Sequence, residues 1–354
     1  MNKKLRIESI DYLRGVMALC VAIYHFNSWT INNADAGSVL GRLGIYAVSI
    51  FFIISGMSMY LAYSNFTWNA SGLKRFLLKR YLRLFPAYFI ACVFIVAFSW
   101  VISDDFHFSS RRFILNITFL FAFLKPNNYM PVGGWSIGCE VIFYILFPLI
   151  MVLKKKGVII SLVLSFGAFM YYSFFKLPDT PSEKSWEVYI QPLNHLFFFA
   201  SGIAITAFSQ YLKINHRMAL LILACSVIFF CYYPSSDGLA SITTGFNRLL
   251  LTALSIVLCL SVFHLNLKFK FDTILKFMGK ISYGLYIFHG IFSEAFLSIL
   301  DYTGIHSPGT RFYLLIFINL PIVIVFSSLF YNLVEMKFIR ASKPEDKPSK
   351  LITV

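Results

Sequence analysis

Ten apolar runs of roughly 20 residues follow one another along this chain of 354 residues, at about 10–29, 43–63, 82–103, 135–153, 157–176, 191–210, 218–234, 248–266, 281–300 and 312–334. A helix rises 1.5 Å per residue, so about 20 residues match the hydrocarbon thickness of a bilayer. Backbone amides in lipid must find their partners inside the protein, which restricts spanning structures to helices and closed barrels. Barrel strands would show short alternating segments, and that pattern is absent. The chain is 58% hydrophobic and only 13% charged, with a mean hydropathy of +0.72, whereas a soluble domain carries roughly 25% charged residues. The expected fold is all-α integral membrane, with about ten transmembrane helices. Residues 1–340 form a single transmembrane domain and 341–354 a short cytoplasmic tail.

The net charge of +15 raises nucleic acid as a partner, but the distribution of that charge argues for topology instead. Basic residues cluster in every second loop, as the positive-inside rule requires. With the amino terminus cytoplasmic, the inner segments hold Lys3, Lys4 and Arg6; Lys74, Arg75, Lys79, Arg80 and Arg83; Lys154 to Lys156; Lys213 and Arg217; Lys268, Lys270, Lys276 and Lys280; and the basic residues of the carboxy-terminal end. The outer segments hold Arg42, Arg111, Arg112, Lys125, Lys176, Lys184, Arg248 and Arg311. Both termini are therefore expected in the cytoplasm, and no nucleic-acid partner is expected. The basic leader precedes a long, polar-studded run without a small-residue cleavage site, so the first run reads as a retained span. The 12-residue apolar piece at 113–124 is too short to cross and reads as interfacial or re-entrant. All six cysteines fall inside apolar runs without metal-binding spacing, and read as small buried hydrophobes.

Polar residues inside such runs are costly and therefore informative. Arg14 and His25 share the first run with ten residues between them. Eleven steps of about 100° bring both side chains to one helix face, ~16 Å apart along the axis. A neutral imidazole is a natural general base near pH 7. The bland alternatives are a packing histidine and an arginine snorkelling to the cytoplasmic headgroups.

Glu140 lies about one and a half turns into a run that enters from outside, near the depth of His25. It could orient that imidazole as the acid of a triad does, or pair with an outer arginine. Arg80 and Arg83, with Lys79, stand at the cytoplasmic mouth of the third run. Three residues apart on a helix, the two arginines can clamp a phosphate, or can be ordinary topogenic charge. Ser282, Tyr286 and His289 share one helical stripe, which could serve chemistry or interhelical bonding. The run Phe51-Phe52-Ile53-Ile54-Ser55-Gly56 puts small residues mid-helix, where they permit close packing.

In this order the motifs resemble the membrane acyltransferase-3 family of integral acyltransferases that O-acetylate bacterial surface glycans. The likeness rests on Arg14-x10-His25, on Phe51-Phe52-x-x-Ser55-Gly56, and on Arg80-x-x-Arg83 with Pro86. It continues through Trp135-Ser136-x-x-x-Glu140-x-x-Phe143-Tyr144 and Ser282-Tyr283-x-x-Tyr286-x-x-His289. The resemblance implies acyl transfer, usually of acetyl from cytoplasmic acetyl-CoA, to a hydroxyl of a surface glycan or its lipid-linked precursor, in a multi-pass protein of the bacterial inner membrane. It implies His25 as the catalytic residue and Arg14 as its partner. Arg80 and Arg83 become candidates for holding the CoA phosphates, with Lys79 beside them. Trp135, Ser136, Tyr144, Ser282, Tyr286 and His289 become candidate substrate-contacting or structural polar residues. Acetyl-CoA enters as co-substrate and no metal is implied. Many members carry an acid two positions before the Phe-Phe pair, where this chain has Ser49, and no esterase-like domain follows the last run, as in stand-alone members. The competing class is a transporter of an acyl donor or glycan intermediate, since intramembrane charge also marks transport paths.

Overall fold

The computed structural model describes residues 8–102, 107–236, 238, 240–265 and 272–341. Lys3, Lys4, Arg6, Lys268, Lys270, the outer-loop acids Asp104, Asp105 and Asp237, and the tail from 342 onward lie outside the described residues. The helices in chain order are α1 (Glu8–Ser28), α2 (Val39–Tyr63), α3 (Ala70–Ile102), α4 (Ser110–Ile117), α5 (Phe121–Leu124), α6 (Gly134–Val152), α7 (Lys154–Tyr171) and α8 (Ser182–Tyr189). They continue with α9 (Pro192–Phe208), α10 (His216–Cys231), α11 (Ala240–Thr243), α12 (Gly245–His264) and α13 (Asp272–Tyr302). The last rod joins α14 (Pro308–Leu314), α15 (Leu320–Phe330) and α16 (Met336–Ala341) through π turns at Leu315–Asn319 and Tyr331–Glu335. The described residues contain no strand. The chain is an all-α integral membrane protein.

Each of the ten apolar runs falls on a helix. Among the described residues, eight helices are long and apolar enough to cross a membrane. The other two are α1, whose 21 residues include Glu8, Asp11, Arg14 and His25, and α10, apolar but only 16 residues long. α3 starts at Ala70, so the basic stretch ahead of the third run is helical too.

The 113–124 piece does not cross. It folds as α4 and α5 and turns back along α3, with the ring of Phe119 5.9 Å from Tyr81 and 5.0 Å from Tyr88. Tyr81 lies about 30 Å from the α3 end at Ile102, by helical rise, so the segment is re-entrant. Irregular backbone at that depth is tolerated only when buried and satisfied. Asn116, fully buried, does this: its Nδ2 donates to the carbonyls of Arg112 and Asn128, and its Oδ1 accepts from Met130 N and the Tyr88 hydroxyl.

α1, α2, α9 and α13 form the centre. The most apolar stretch of α2 is 72% buried and that of α7 only 22%; Val163 and Leu164 on α7, like Leu221 and Phe229 on α10, present open apolar faces suited to lipid. Two crossings depend on paired glycines. A Cβ at Gly56 would sit 2.1 Å from the Phe199 carbonyl oxygen, and one at Gly202 1.9 Å from that of Ile53, so α2 and α9 touch backbone to backbone. Gly15 and Gly279 do the same for α1 and α13. Small residues allow such approach in membranes, where van der Waals packing drives helix association. Gly56 thus has the packing role read from its motif. Cys92, Cys139 and Cys259 are buried as expected, but Cys225 is exposed on the rim helix α10.

Several arginines of the loops read as outer are structural fasteners. Arg42, 2% exposed, donates to the carbonyls of Phe230, Gly37 and Cys231. Arg112 donates to the Tyr129 carbonyl, Arg248 to Asn194, and Arg311 to Asp301.

Candidate active site

Six elements surround a cavity of about 470 Å³. α1 contributes Asp11 and Arg14; α2 contributes Phe51, Ser55 and Ser58; α3 contributes Arg80 and Arg83. Ser136, Glu140 and Tyr144 come from α6, Lys280, Ser282, Tyr283 and Tyr286 from α13, and Tyr331 and Glu335 from the last rod. Four cations (Arg14, Arg80, Arg83, Lys280) face three carboxylates (Asp11, Glu140, Glu335) there.

The cations are held differently. Arg14 is clamped, its Nη1 3.1 Å from Asp11 Oδ1 and its Nη2 3.1 Å from Ser58 Oγ. Arg80 donates from Nη2 to the Tyr63 hydroxyl at 3.0 Å, and its guanidinium lies 5.3 Å from the Tyr63 ring centroid and 5.8 Å from that of Tyr144. Arg83 lines the cavity and is more than a third exposed. Glu140, Glu335 and Asp11 are near enough to Arg83 to interact with it electrostatically. The carboxylates have their own setting. Glu140 Oε2 accepts from the Tyr144 hydroxyl at 2.9 Å, whose oxygen in turn lies 3.2 Å from Ser55 Oγ. Glu335, at the end of a π turn and 7% exposed, has an Oε1 with no hydrogen-bond partner.

The far end of the cavity is closed by Phe51, Ser136 and Tyr286, the rings of Phe51 and Tyr286 meeting edge to face at 5.7 Å. The Tyr286 hydroxyl is 2.8 Å from Ser136 Oγ, and both hydroxyls reach the Gly133 carbonyl. One helical turn further along α13 is His289, fully buried, whose Nε2 lies 2.8 Å from His25 Nδ1. Trp29 stacks on His25 at 5.1 Å, tilted by only 10°.

The shared face of α1 is thus divided. Arg14 opens into the cavity, whereas His25 is not among the residues lining it and sits just beyond the Tyr286 layer. Glu140 is not the partner of His25: it bonds Tyr144 and faces Arg83, and the imidazole is bonded by His289 instead. The sequence reading placed Glu140 near the depth of His25, but Glu140 lies on the cavity side of the Ser136–Tyr286 contact and His25 beyond it. Lys79 is absent from the cavity lining, one helical step from Arg80. Arg80 and Arg83 both line the cavity, yet Arg80 is engaged by aromatic rings, which leaves Arg83 as the open cation. Tyr144, Ser136, Tyr286 and Ser282 line the cavity; Trp135 packs between His195 and Tyr189 behind it.

Asp11, Ser58, Lys280 and Glu335 also line the cavity and were not singled out from the sequence. The Asp11–Arg14 spacing of three was a legible signal, as was a carboxylate closing the last apolar run at Glu335. Lys280 was read only as topogenic charge.

The chain matches the model of the Acyltransferase domain family over residues 7–330. It is 23% identical over 319 residues to the peptidoglycan O-acetyltransferase OatA of Listeria monocytogenes, covering 80% of this chain and 49% of that one. It is 26% identical over 297 residues to a putative acetyltransferase, ORF330, of Acidianus two-tailed virus, covering 80% of this chain and 83% of the relative. Against a putative O-acetyltransferase of Staphylococcus aureus it is 24% identical over 375 residues, covering 95% of this chain and 58% of the other. The chain therefore spans about half the length of OatA. No solved structure matches it. Carrying all five motifs and matched along nearly its whole length, the chain belongs to the acyltransferase-3 family.

Proposed function

We propose that the protein transfers an acetyl group from cytoplasmic acetyl-CoA to a hydroxyl of a surface glycan or its lipid-linked precursor, in the bacterial inner membrane. On this reading the chain crosses ten times with both termini cytoplasmic, and the Arg83 end of the cavity faces the cytoplasm. The observation that carries the proposal is a cation-lined cavity that ends one helical turn short of a hydrogen-bonded histidine pair.

The donor is a polyanion on a long flexible arm. Arg83 and Lys280 would take its phosphates, with Arg14 along the path; guanidinium and ammonium groups both suit phosphate oxygens. Lys280 and His289 are nine residues apart on α13, or about 14 Å, so the thioester would reach past Tyr286 once the Phe51–Tyr286 contact opens. His25 would take the proton of the acceptor hydroxyl at Nε2. The hydroxyl oxygen then bonds to the thioester carbon, the C–S bond breaks, and the departing thiolate recovers the proton from Nε2. The products are the O-acetyl glycan and CoA thiol. Glu140 and Glu335, facing Arg83, would keep the cavity close to neutral without donor and be outweighed by phosphate when it enters.

The test uses inverted membrane vesicles from the native host, which carry the endogenous acceptor, supplied with acetyl-labelled acetyl-CoA. Base-labile label on glycan is expected with the wild-type protein and not with His25→Ala at equal protein level. Full labelling with His25→Ala would overturn the catalytic assignment. Unmodified acetyl-CoA accumulating inside the vesicles without CoA release would indicate a carrier instead.

A further inference from the structure

The hydrogen bonds around His289 determine which nitrogen of His25 carries a proton. His289 Nδ1 lies 2.7 Å from the backbone carbonyl of Tyr286. A carbonyl oxygen can only accept, so His289 Nδ1 carries the hydrogen. In a neutral ring the other nitrogen, Nε2, then has a lone pair, and this is the atom 2.8 Å from His25 Nδ1. His25 must therefore donate from Nδ1, which leaves its Nε2 as the unprotonated nitrogen.

The alternative, a doubly protonated His289, would bury a cation with no carboxylate bonded to it, and isolated charges in such surroundings are costly. The ring is also held in place. The Tyr286 side chain is fixed by Ser136 and Gly133, and the His289 carbonyl accepts from Ser293 Oγ, which is itself bonded by Asn319 Nδ2. His289 is 0% exposed, so no solvent competes for either nitrogen.

We infer that His289 is a positioning residue for the proposed transfer: by accepting from His25 Nδ1 it holds the His25 tautomer whose Nε2 is the base, and it keeps that acceptor bond when His25 becomes an imidazolium. This places on a second histidine the duty that a carboxylate performs in a serine-hydrolase triad, where loss of the correct tautomer alone is severe. Because the pair is joined to the backbone rather than to an acid, the orientation adds no negative charge beside an anionic donor. The inference rests on the reading of His25 as the base.

Two variants separate tautomer control from packing. His289→Gln keeps an acceptor oxygen near the position of Nε2; His289→Leu fills the space without one. In the same vesicles, with acetyl-CoA varied, His289→Leu is expected to lower kcat by at least about 100-fold while KM for acetyl-CoA moves less than about threefold, because the cavity is untouched. His289→Gln is expected to recover at least about a tenth of wild-type kcat. Wild-type kcat in His289→Leu would overturn the inference, and so would equal losses in the two variants at normal protein level and KM. If His25→Ala itself transfers normally, the proposed function fails first; if only that variant is inactive, the failure belongs to His289 alone.

Discussion

The inner cavity and the histidine layer beyond it are neighbours on α1 and α13, yet they are built on opposite principles. The cavity is charged and open: Arg83 lines it while more than a third exposed, and one oxygen of Glu335 lacks any partner. The histidine layer is packed: His289 has both ring nitrogens bonded, and Trp29 stacks over His25, whose Nδ1 is bonded and whose Nε2 is left for the acceptor. An open charged site suits a ligand that arrives with compensating charge and leaves again. A packed layer in which His289 has both ring nitrogens bonded suits a group that must hold a single protonation geometry in a low-dielectric setting, where misplaced protons are most costly. Changes in the first region should therefore alter donor affinity, and changes in the second the rate once donor is bound.

The largest expected effect lies in the histidine layer. His25→Gln should lower kcat by about 10²–10⁴-fold, the usual worth of a general base, with KM for acetyl-CoA little changed. A rise in KM with preserved kcat would place His25 in donor binding and dissolve the contrast.

In the cavity the split should reverse. Arg83→Ala should raise KM for acetyl-CoA by about 10–100-fold, corresponding to a lost charge-assisted hydrogen bond of about 1.5–3 kcal/mol, with kcat within a few-fold of wild type. Arg80→Ala should act differently. Its guanidinium is held by the Tyr63 hydroxyl and by aromatic faces, so thermal stability in detergent should fall along with affinity. A pure KM effect at Arg80 would mean that the aromatic cage releases it when donor binds.

Both regions depend on helix crossings that bring no chemistry of their own. Gly202→Ala places a methyl group within 1.9 Å of the Ile53 carbonyl oxygen, and overpacking of this kind costs about 1–3 kcal/mol. The expected result is a lower melting temperature, with kcat and KM unchanged in the protein that remains folded. Altered kcat would show that the α2–α9 crossing also sets the position of Phe51.

Much of this was legible in the sequence, for a definite reason. Lipid imposes one length scale, so each of the ten apolar runs falls on helix, the last on a rod of joined helices, and the short 113–124 piece was recognised as non-spanning. The helix ends were less legible. α3 starts at Ala70 and α13 at Asp272, ahead of their apolar runs, because charged turns at the membrane surface remain helical without an apolar signal. The site was legible along each helix and obscure between helices. Arg14 and His25 share a face by arithmetic, but the His25–His289 bond joins residues 264 apart, and no periodicity within one helix specifies a partner on another. For the same reason the reading of Glu140 as the neighbour of His25 missed that it faces Arg83 in the cavity.

The finest test of the contrast compares two lysines read as inner-face charge, of which the sequence placed only Lys79 beside the phosphate-binding arginines. Lys280 lines the cavity and is exposed within it; Lys79 does not line it. If donor recognition depends on which cations face the cavity rather than on the total positive charge at the membrane surface, Lys280→Ala should raise KM for acetyl-CoA several-fold. Lys79→Ala should change it by less than about twofold, the scale of a surface charge contact worth about 0–1 kcal/mol. Raising the salt concentration sharpens the comparison, because exposed charges separated by more than about 10 Å are screened at 0.1 M. The small Lys79 effect should then vanish while the Lys280 effect persists. Equal and equally salt-sensitive effects would mean that a diffuse basic surface, not the cavity, attracts the donor.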